Sequence, residues 1–167
     1  MDQQSHRRGP RGPGRCSFRP RAGHDLHDRP APRPGGPGGL VTVPSILVIE
    51  DDPDIARVIT TILRFEGYDF THERDGQLGL DQARQGSWSA VILDLGLPTI
   101  SGWEILDALR SEFDDTHPPV IIISATAEAT LREDALSRGA AEYLVKPVTA
   151  DVVARVVRQH VIPDREL

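Results

Sequence analysis

Three runs of four consecutive apolar residues, Ile46–Ile49, Ala90–Leu93 and Val120–Ile123, constrain the fold of this chain more than any other feature. A strand with one wet face alternates apolar and polar side chains. An unbroken apolar run needs cover on both faces, the pattern of a strand in a parallel sheet packed between helices. The intervening segments supply that cover. Ile55, Val58, Ile59 and Ile62 repeat at i, i+3, i+4 and i+7; this helix starts where Asp52-Pro53 offers an N-cap followed by proline, and ends near Gly67. Tyr68–Thr71 reads as a second strand and Asp75–Gln85 as a second, less amphipathic helix. Ile105, Leu106, Leu109 and Phe113 mark a third helix, and Ala129–Arg138, closed by Gly139, a fourth. Glu142–Val145 is a short fifth strand, and Val152, Val153, Val156 and Val157 mark a fifth helix. Five such β/α units predict an α/β fold, a doubly wound five-stranded parallel sheet in the order 2-1-3-4-5 with five helices.

Charge and composition divide the chain. Residues 1–40 hold 8 Arg against 3 Asp, a net of +5, with 7 of the 14 Pro and 8 of the 15 Gly. Of the 19 basic and 25 acidic side chains in the whole sequence, the remainder keeps 11 and 22, a net of −11. A Pro/Gly-rich stretch with no apolar period cannot bury enough surface to offset its ordering entropy. Residues 1–44 are therefore expected to be a disordered extension, 45–162 a folded domain and 163–167 a short tail. The extension reads either as unstructured sequence or as an arm for an acidic partner or nucleic acid. The acidic folded part repels a phosphate backbone, so direct nucleic-acid binding is not expected of it. No run of 18 apolar residues exists to span a membrane, and the lone Cys16, which can form no internal disulfide, is compatible with the cytoplasm.

In a doubly wound sheet, ligands sit beyond the carboxyl ends of the strands, where the winding reverses. That rule selects Glu50-Asp51 after the first strand, Asp94 after the third, Ser124 after the fourth and Lys146 after the fifth. Three clustered carboxylates raise one another's pKa unless a cation compensates. Oxygen-only ligands without His or Cys favour a hard divalent ion, and Mg²⁺ suits such an open site. A metal ion, an ammonium and a hydroxyl donor together suit a phosphoryl group in transfer to a carboxylate. Asp94, alone at the end of the central strand, is the nucleophile candidate that would form an aspartyl phosphate, with Glu50 and Asp51 on the metal side. Asp52 reads as a helix cap, Trp88 and Trp103 as packing residues, and His6, His24, His27, His72, His117 and His160 show no ligand spacing.

Four segments, each at a strand end, resemble one family. They are Ile46-Leu47-Val48-Ile49-Glu50-Asp51-Asp52, Val91-Ile92-Leu93-Asp94-Leu95-Gly96-Leu97-Pro98, Ile123-Ser124-Ala125 and Tyr143-Leu144-Val145-Lys146-Pro147. Together they are similar to the receiver domain of two-component response regulators, a flavodoxin-like fold, from about Ser45 to Val161. The resemblance implies a signalling switch that takes phosphate from a sensor histidine kinase or phosphotransfer protein onto Asp94, and not an enzyme acting on other molecules. It implies Mg²⁺ held by Asp51, Asp94 and the backbone carbonyl of Gly96, with Glu50 acting through a metal-bound water. It further implies that Ser124 and Lys146 bind phosphoryl oxygens, that Ser124 and Tyr143 form the switch, and that Lys146-Pro147 is cis. Val148, where an aromatic is usual, and Ser101, where an acid commonly precedes Gly102, depart from the pattern.

Two other classes compete. A haloacid-dehalogenase-type phosphatase also uses an aspartate and Mg²⁺, but wants a second aspartate at the position of Gly96. A receiver-like scaffold that binds partners without phosphorylation would not need the intact acidic set. With six residues after Val161, the sequence is expected to be either a stand-alone receiver or the receiver part of a DNA-binding transcription regulator. Its expected output is an unknown downstream protein, or a homodimer, at the face of the fourth helix, fifth strand and fifth helix. Arg155 and Arg158 on that last helix are candidates to pair with acids such as Glu142 across a dimer.

Overall fold

The computed structural model describes residues 43–113 and 117–161. The extension up to residue 42 and the tail beyond Val161 lie outside the described residues. Ten elements alternate: β1 (Ser45–Ile49), α1 (Pro53–Glu66), β2 (Asp69–Glu73), α2 (Gly76–Gln85), β3 (Ala90–Asp94), α3 (Gly102–Phe113), β4 (Val120–Ser124), α4 (Ala129–Ser137), β5 (Glu142–Val145) and α5 (Ala150–His160). The strands form one parallel sheet in the order β2-β1-β3-β4-β5.

Successive side chains on a strand point to opposite faces, and the apolar runs fill both. Leu47, Ile49, Val91, Leu93 and Ile122 pack with Leu80 of α2 and Ile105, Leu106 and Leu109 of α3. Ile46, Val48, Ile92, Ile121 and Ile123 pack on the other face with Ile59 and Leu63 of α1 and Val153, Val156 and Val157 of α5. Burying one such side chain contributes about 1.5–3 kcal/mol, so polar residues are tolerated only where the runs stop. The three runs stop at the same edge, where β5 also ends. Among the described residues no helix is long and apolar enough to cross a membrane.

Local chemistry sets where the loops at that edge begin and end. Asp52 caps α1, its Oδ1 accepting from the N–H groups of Asp54 at 2.8 Å and Ile55 at 3.2 Å, with Pro53 next in line. At the opposite edge Gly67 closes α1 at φ +85, the left-handed region where a side chain is strained. Ser101 and Glu104 form a reciprocal capping box at the start of α3, so the serine that departs from the family pattern does a cap's work. β2 differs from expectation. It runs over Asp69–Glu73 instead of Tyr68–Thr71, because it pairs with β1 from Ser45↔Asp69 to Ile49↔Glu73. It is a mostly polar, half-covered edge strand, so its own pattern does not show this register.

Among the described glycines the closest approach to another backbone lies between β3 and α3. A Cβ on Gly102 would meet the carbonyl oxygen of Asp94 at 2.2 Å and Cα of Leu95 at 2.7 Å. Only a residue without a side chain lets α3 start this close beneath the strand end. Gly102→Ala is therefore expected to cost about 1–3 kcal/mol of stability, as overpacking against backbone does, measured by urea unfolding.

Candidate functional site

Parallel strands deliver their last residues to one rim, and the register decides who meets whom. Ile49 pairs with Leu93, so Glu50 comes level with Asp94; Asp94 pairs with Ile123, and Ser124 with Val145. Lys146 follows, its N–H donating to the Ser124 carbonyl at 2.8 Å. Glu50 is 1% exposed, Asp94 6% and Ser124 5%, the buried polar side chains among the described residues. One carboxylate oxygen from each of Glu50, Asp51 and Asp94 lies within 4.8 Å of the others. Lys146 Nζ lies 3.3 Å from Asp94 Oδ1. It donates to Glu50 Oε1 at 3.0 Å and lies 2.9 Å from Oε2, yet the geometry at Oε2 makes no hydrogen bond. All five residues selected at strand ends thus meet, and the Lys146-Pro147 bond is cis as the resemblance implies.

The charges do not balance. With all groups ionised, three carboxylates face one ammonium, a net of −2. Burial pushes the Glu50 carboxyl above the ordinary glutamate value, and the Asp94 charge adds to the rise; the hydrogen bond from Lys146 opposes both. Burial pulls Lys146 down, but Glu50 and Asp94 beside it win and hold it above the usual lysine value. The donor set is all oxygen, and Glu50 Oε2 is a buried charged oxygen without a donor among the described residues. Both observations fit a hard divalent cation such as Mg²⁺.

A cavity of about 380 Å³ opens over Asp94, lined among others by Gly96, Trp103, Ser124, Thr126 and Lys146. Gly96 lies against the Asp94 carboxylate: a Cβ there would stand 3.5 Å from Oδ2. Ser124 Oγ accepts from the Thr126 N–H at 3.2 Å. Tyr143 is not in the site but next to it. Its ring is buried, and its hydroxyl donates to the Thr126 carbonyl at 2.8 Å, which places the side chain inward.

Three residues at the site were not legible as such. Trp103, expected only to pack, lines the cavity. His72 of β2 and Arg74, the residue just past it, reach the main chain of Glu50 and Asp51. The signal that finds the last two is the strand-end rule applied to β2, once β2 is carried to Glu73. Within the chain Arg158 pairs with Glu66 of α1, and Glu142 with Arg132 of α4.

Comparison with known proteins gives a consistent result. The family model of the response regulator receiver domain matches residues 46–158. The response regulator ArlR of Staphylococcus epidermidis is 39% identical over 113 residues, 67% of this chain and 50% of that protein. The transcriptional regulatory protein PrrA of Mycobacterium tuberculosis is 37% identical over 117 residues, 70% of this chain and 49% of that protein. The chain spans about half the length of the curated relatives it matches. Among solved structures, the Francisella response regulator 1452 receiver domain is 31% identical with a TM-score of 0.64, covering 70% of this chain and 96% of that one. The receiver domain of sensor histidine kinase PA1611 from Pseudomonas aeruginosa PAO1, solved with a magnesium ion coordinated in its active site cleft, is 28% identical with a TM-score of 0.65. That match covers 72% of this chain and 98% of that one.

Without metal, Lys146 is the positive charge in direct contact with Glu50. In Lys146→Ala, Glu50 loses that partner and its folded-state pKa climbs further above the unfolded value. The stability Glu50 contributes is then present below the unfolded pKa and lost as pH rises through the raised one. Urea unfolding in EDTA is expected to show Lys146→Ala less stable than wild type by about 3 kcal/mol at pH 7, with the gap narrowing towards pH 5.

Proposed function

Because the chain belongs to the response regulator receiver domain family, we propose that it is a phosphorylation-dependent switch accepting a phosphoryl group on Asp94 from a sensor histidine kinase or phosphotransfer protein. The observation that supports this most is the meeting of Asp94 with Lys146, Glu50 and Asp51 at one rim. An Asp94 oxygen forms the new O–P bond as the donor's N–P bond breaks, and the departing imidazole nitrogen keeps the electron pair. Such a transfer needs positioning and charge stabilisation more than covalent help. Lys146 offers its ammonium to one phosphoryl oxygen and Ser124 its hydroxyl to another. Asp51, Asp94, the Gly96 carbonyl and, through a water, Glu50 would hold Mg²⁺, which when bound supplies positive charge opposite the transferred group. In this reading the chain promotes only its own phosphorylation and dephosphorylation, and works in the cytoplasm.

Output follows from the same geometry. Ser124 drawn towards a phosphoryl group shifts its bond to Thr126, whose carbonyl holds Tyr143. Tyr143 lies beneath the face of α4, β5 and α5, where Leu136 and Val145 are exposed apolar residues. A downstream protein or a second copy binding that face better in one state would move the equilibrium. Since the chain spans half of its transcription-regulator relatives, a DNA-binding output belongs, in this reading, to a longer protein.

Incubation with acetyl phosphate and Mg²⁺ is expected to add one phosphoryl group by intact mass, with none in Asp94→Asn and none in EDTA. Turnover of added phosphomonoesters without a lasting adduct would instead favour a phosphatase. Gly96 leaves one side of the Asp94 carboxylate open to water, so an amide there shields it. Gly96→Asn is expected to slow phosphate loss about tenfold, ~1.4 kcal/mol of barrier, followed as decay of the adduct after donor removal; an unchanged decay removes the idea.

A further inference from the structure

The corner between β2 and α2 touches both loops that the cation site draws on. The main chain of Glu50 is held at the end of the ladder by its N–H bond to the Glu73 carbonyl, 3.0 Å. Its own carbonyl lies 2.9 Å from His72 Nε2. The next carbonyl, that of Asp51, accepts from Arg74 twice, from Nε at 3.3 Å and Nη2 at 3.0 Å. One residue further, Asp75 divides its carboxylate. Oδ1 caps α2 through the N–H groups of Gln77 at 2.9 Å and Leu78 at 3.0 Å, while Oδ2 accepts from the Thr99 hydroxyl. Gly76 packs so closely on the Ile100 carbonyl that a Cβ would stand 2.7 Å from it. Residues 72–76 therefore grip the Glu50-Asp51 turn on one side and the Gly96–Ser101 loop on the other.

We propose that Arg74 and Thr99 are positioning residues for the divalent cation, fixing the spacing between the loop of Asp51 and the loop of Gly96; this rests on reading the rim as a Mg²⁺ site. Mg²⁺ demands near-ideal octahedral geometry at about 2.0–2.1 Å, so small drift of either loop weakens binding. The guanidinium grips a carbonyl rather than a carboxylate, which is what holding a backbone requires. The electrostatic alternative has the opposite sign. Arg74 is a positive charge beside an acidic turn, and it helps lower the Asp52 carboxyl below its ordinary value, behind the N–H groups of Ile55 and Asp54. By charge alone its removal would tighten cation binding. By positioning, its removal loosens it.

The test is a Mg²⁺ titration of the full chain, read by the fluorescence of Trp103 in the cavity wall. Arg74→Met is expected to raise the half-saturating Mg²⁺ concentration about 10-fold, the lower end of what loss of a ligand's supporting partner costs. Arg74→Lys, which keeps a donor of similar reach, should recover most of that, and Thr99→Val should shift the titration in the same direction as Arg74→Met. For Arg74→Met the far-UV circular dichroism and the cooperativity of thermal unfolding in EDTA should match wild type, so that a weaker titration reports the loops and not loss of the fold. An unchanged or lower half-saturation in Arg74→Met overturns the assignment. If wild type titrates and accepts phosphate while Arg74→Met titrates identically, only the positioning idea falls; if wild type shows no Mg²⁺ response, the reading beneath it falls.

Discussion

A buried carboxylate and a half-buried ammonium, Glu50 and Lys146, hold the functional edge together. They come from residues 96 positions apart, at the ends of β1 and β5. Taking either charge out of water alone would cost several kcal/mol. Their pairing is what lets Asp94 sit buried beside them, and the surplus negative charge that remains makes the rim receptive to a cation. Stability and reactivity share one origin here, since the charge imbalance that the fold tolerates is also what a metal ion or phosphoryl group would relieve.

The elements around the rim are unequally secured. α1 and α5 share an apolar layer and the Arg158–Glu66 pair, and α2 is tied to α3 by Arg84 and Glu112. α4 buries only Ala135 fully and has no side-chain bond at its N-cap. It is held instead by charged contacts: its C-cap Arg138 pairs with Asp107 and lies over the Trp103 ring, while Arg132 reaches Glu142 and the Tyr143 carbonyl. Exposed ion pairs contribute little, about 0–1 kcal/mol each. The helix nearest Tyr143 is thus the one whose position is easiest to bias, and Trp103 touches both its clasp and the cavity over Asp94.

Apolar runs, caps and punctuating glycines make β1, β3, β4, β5, α1, α2 and α4 readable to within about one residue, and mark α3 and α5 by their apolar faces alone. β2 ends two residues later than its own pattern indicates, at Glu73. His72, which shows no ligand spacing, pairs with Val48 and reaches the Glu50 carbonyl, and Arg74, just past the strand, reaches that of Asp51. Trp103 was likewise read as packing, because a half-buried indole at a helix start has the same pattern whether its other face meets protein or a cavity.

What the linear order of residues determined was which groups stand at strand ends, since an apolar run buried on both faces must expel its first polar residue at the rim. Right-handed crossovers restrict the strand order, and the ladder pairings fix it as 2-1-3-4-5. What the tertiary structure alone decided was lateral: the register that sets Glu50 level with Asp94, the choice of Glu66 as the partner of Arg158 within the chain, and the grip of Arg74 on the neighbouring turn. Local pattern reports only whether a side chain faces apolar or polar surroundings. Which polar neighbour it finds depends on how separate strands and helices slide against one another, and no single segment carries that information.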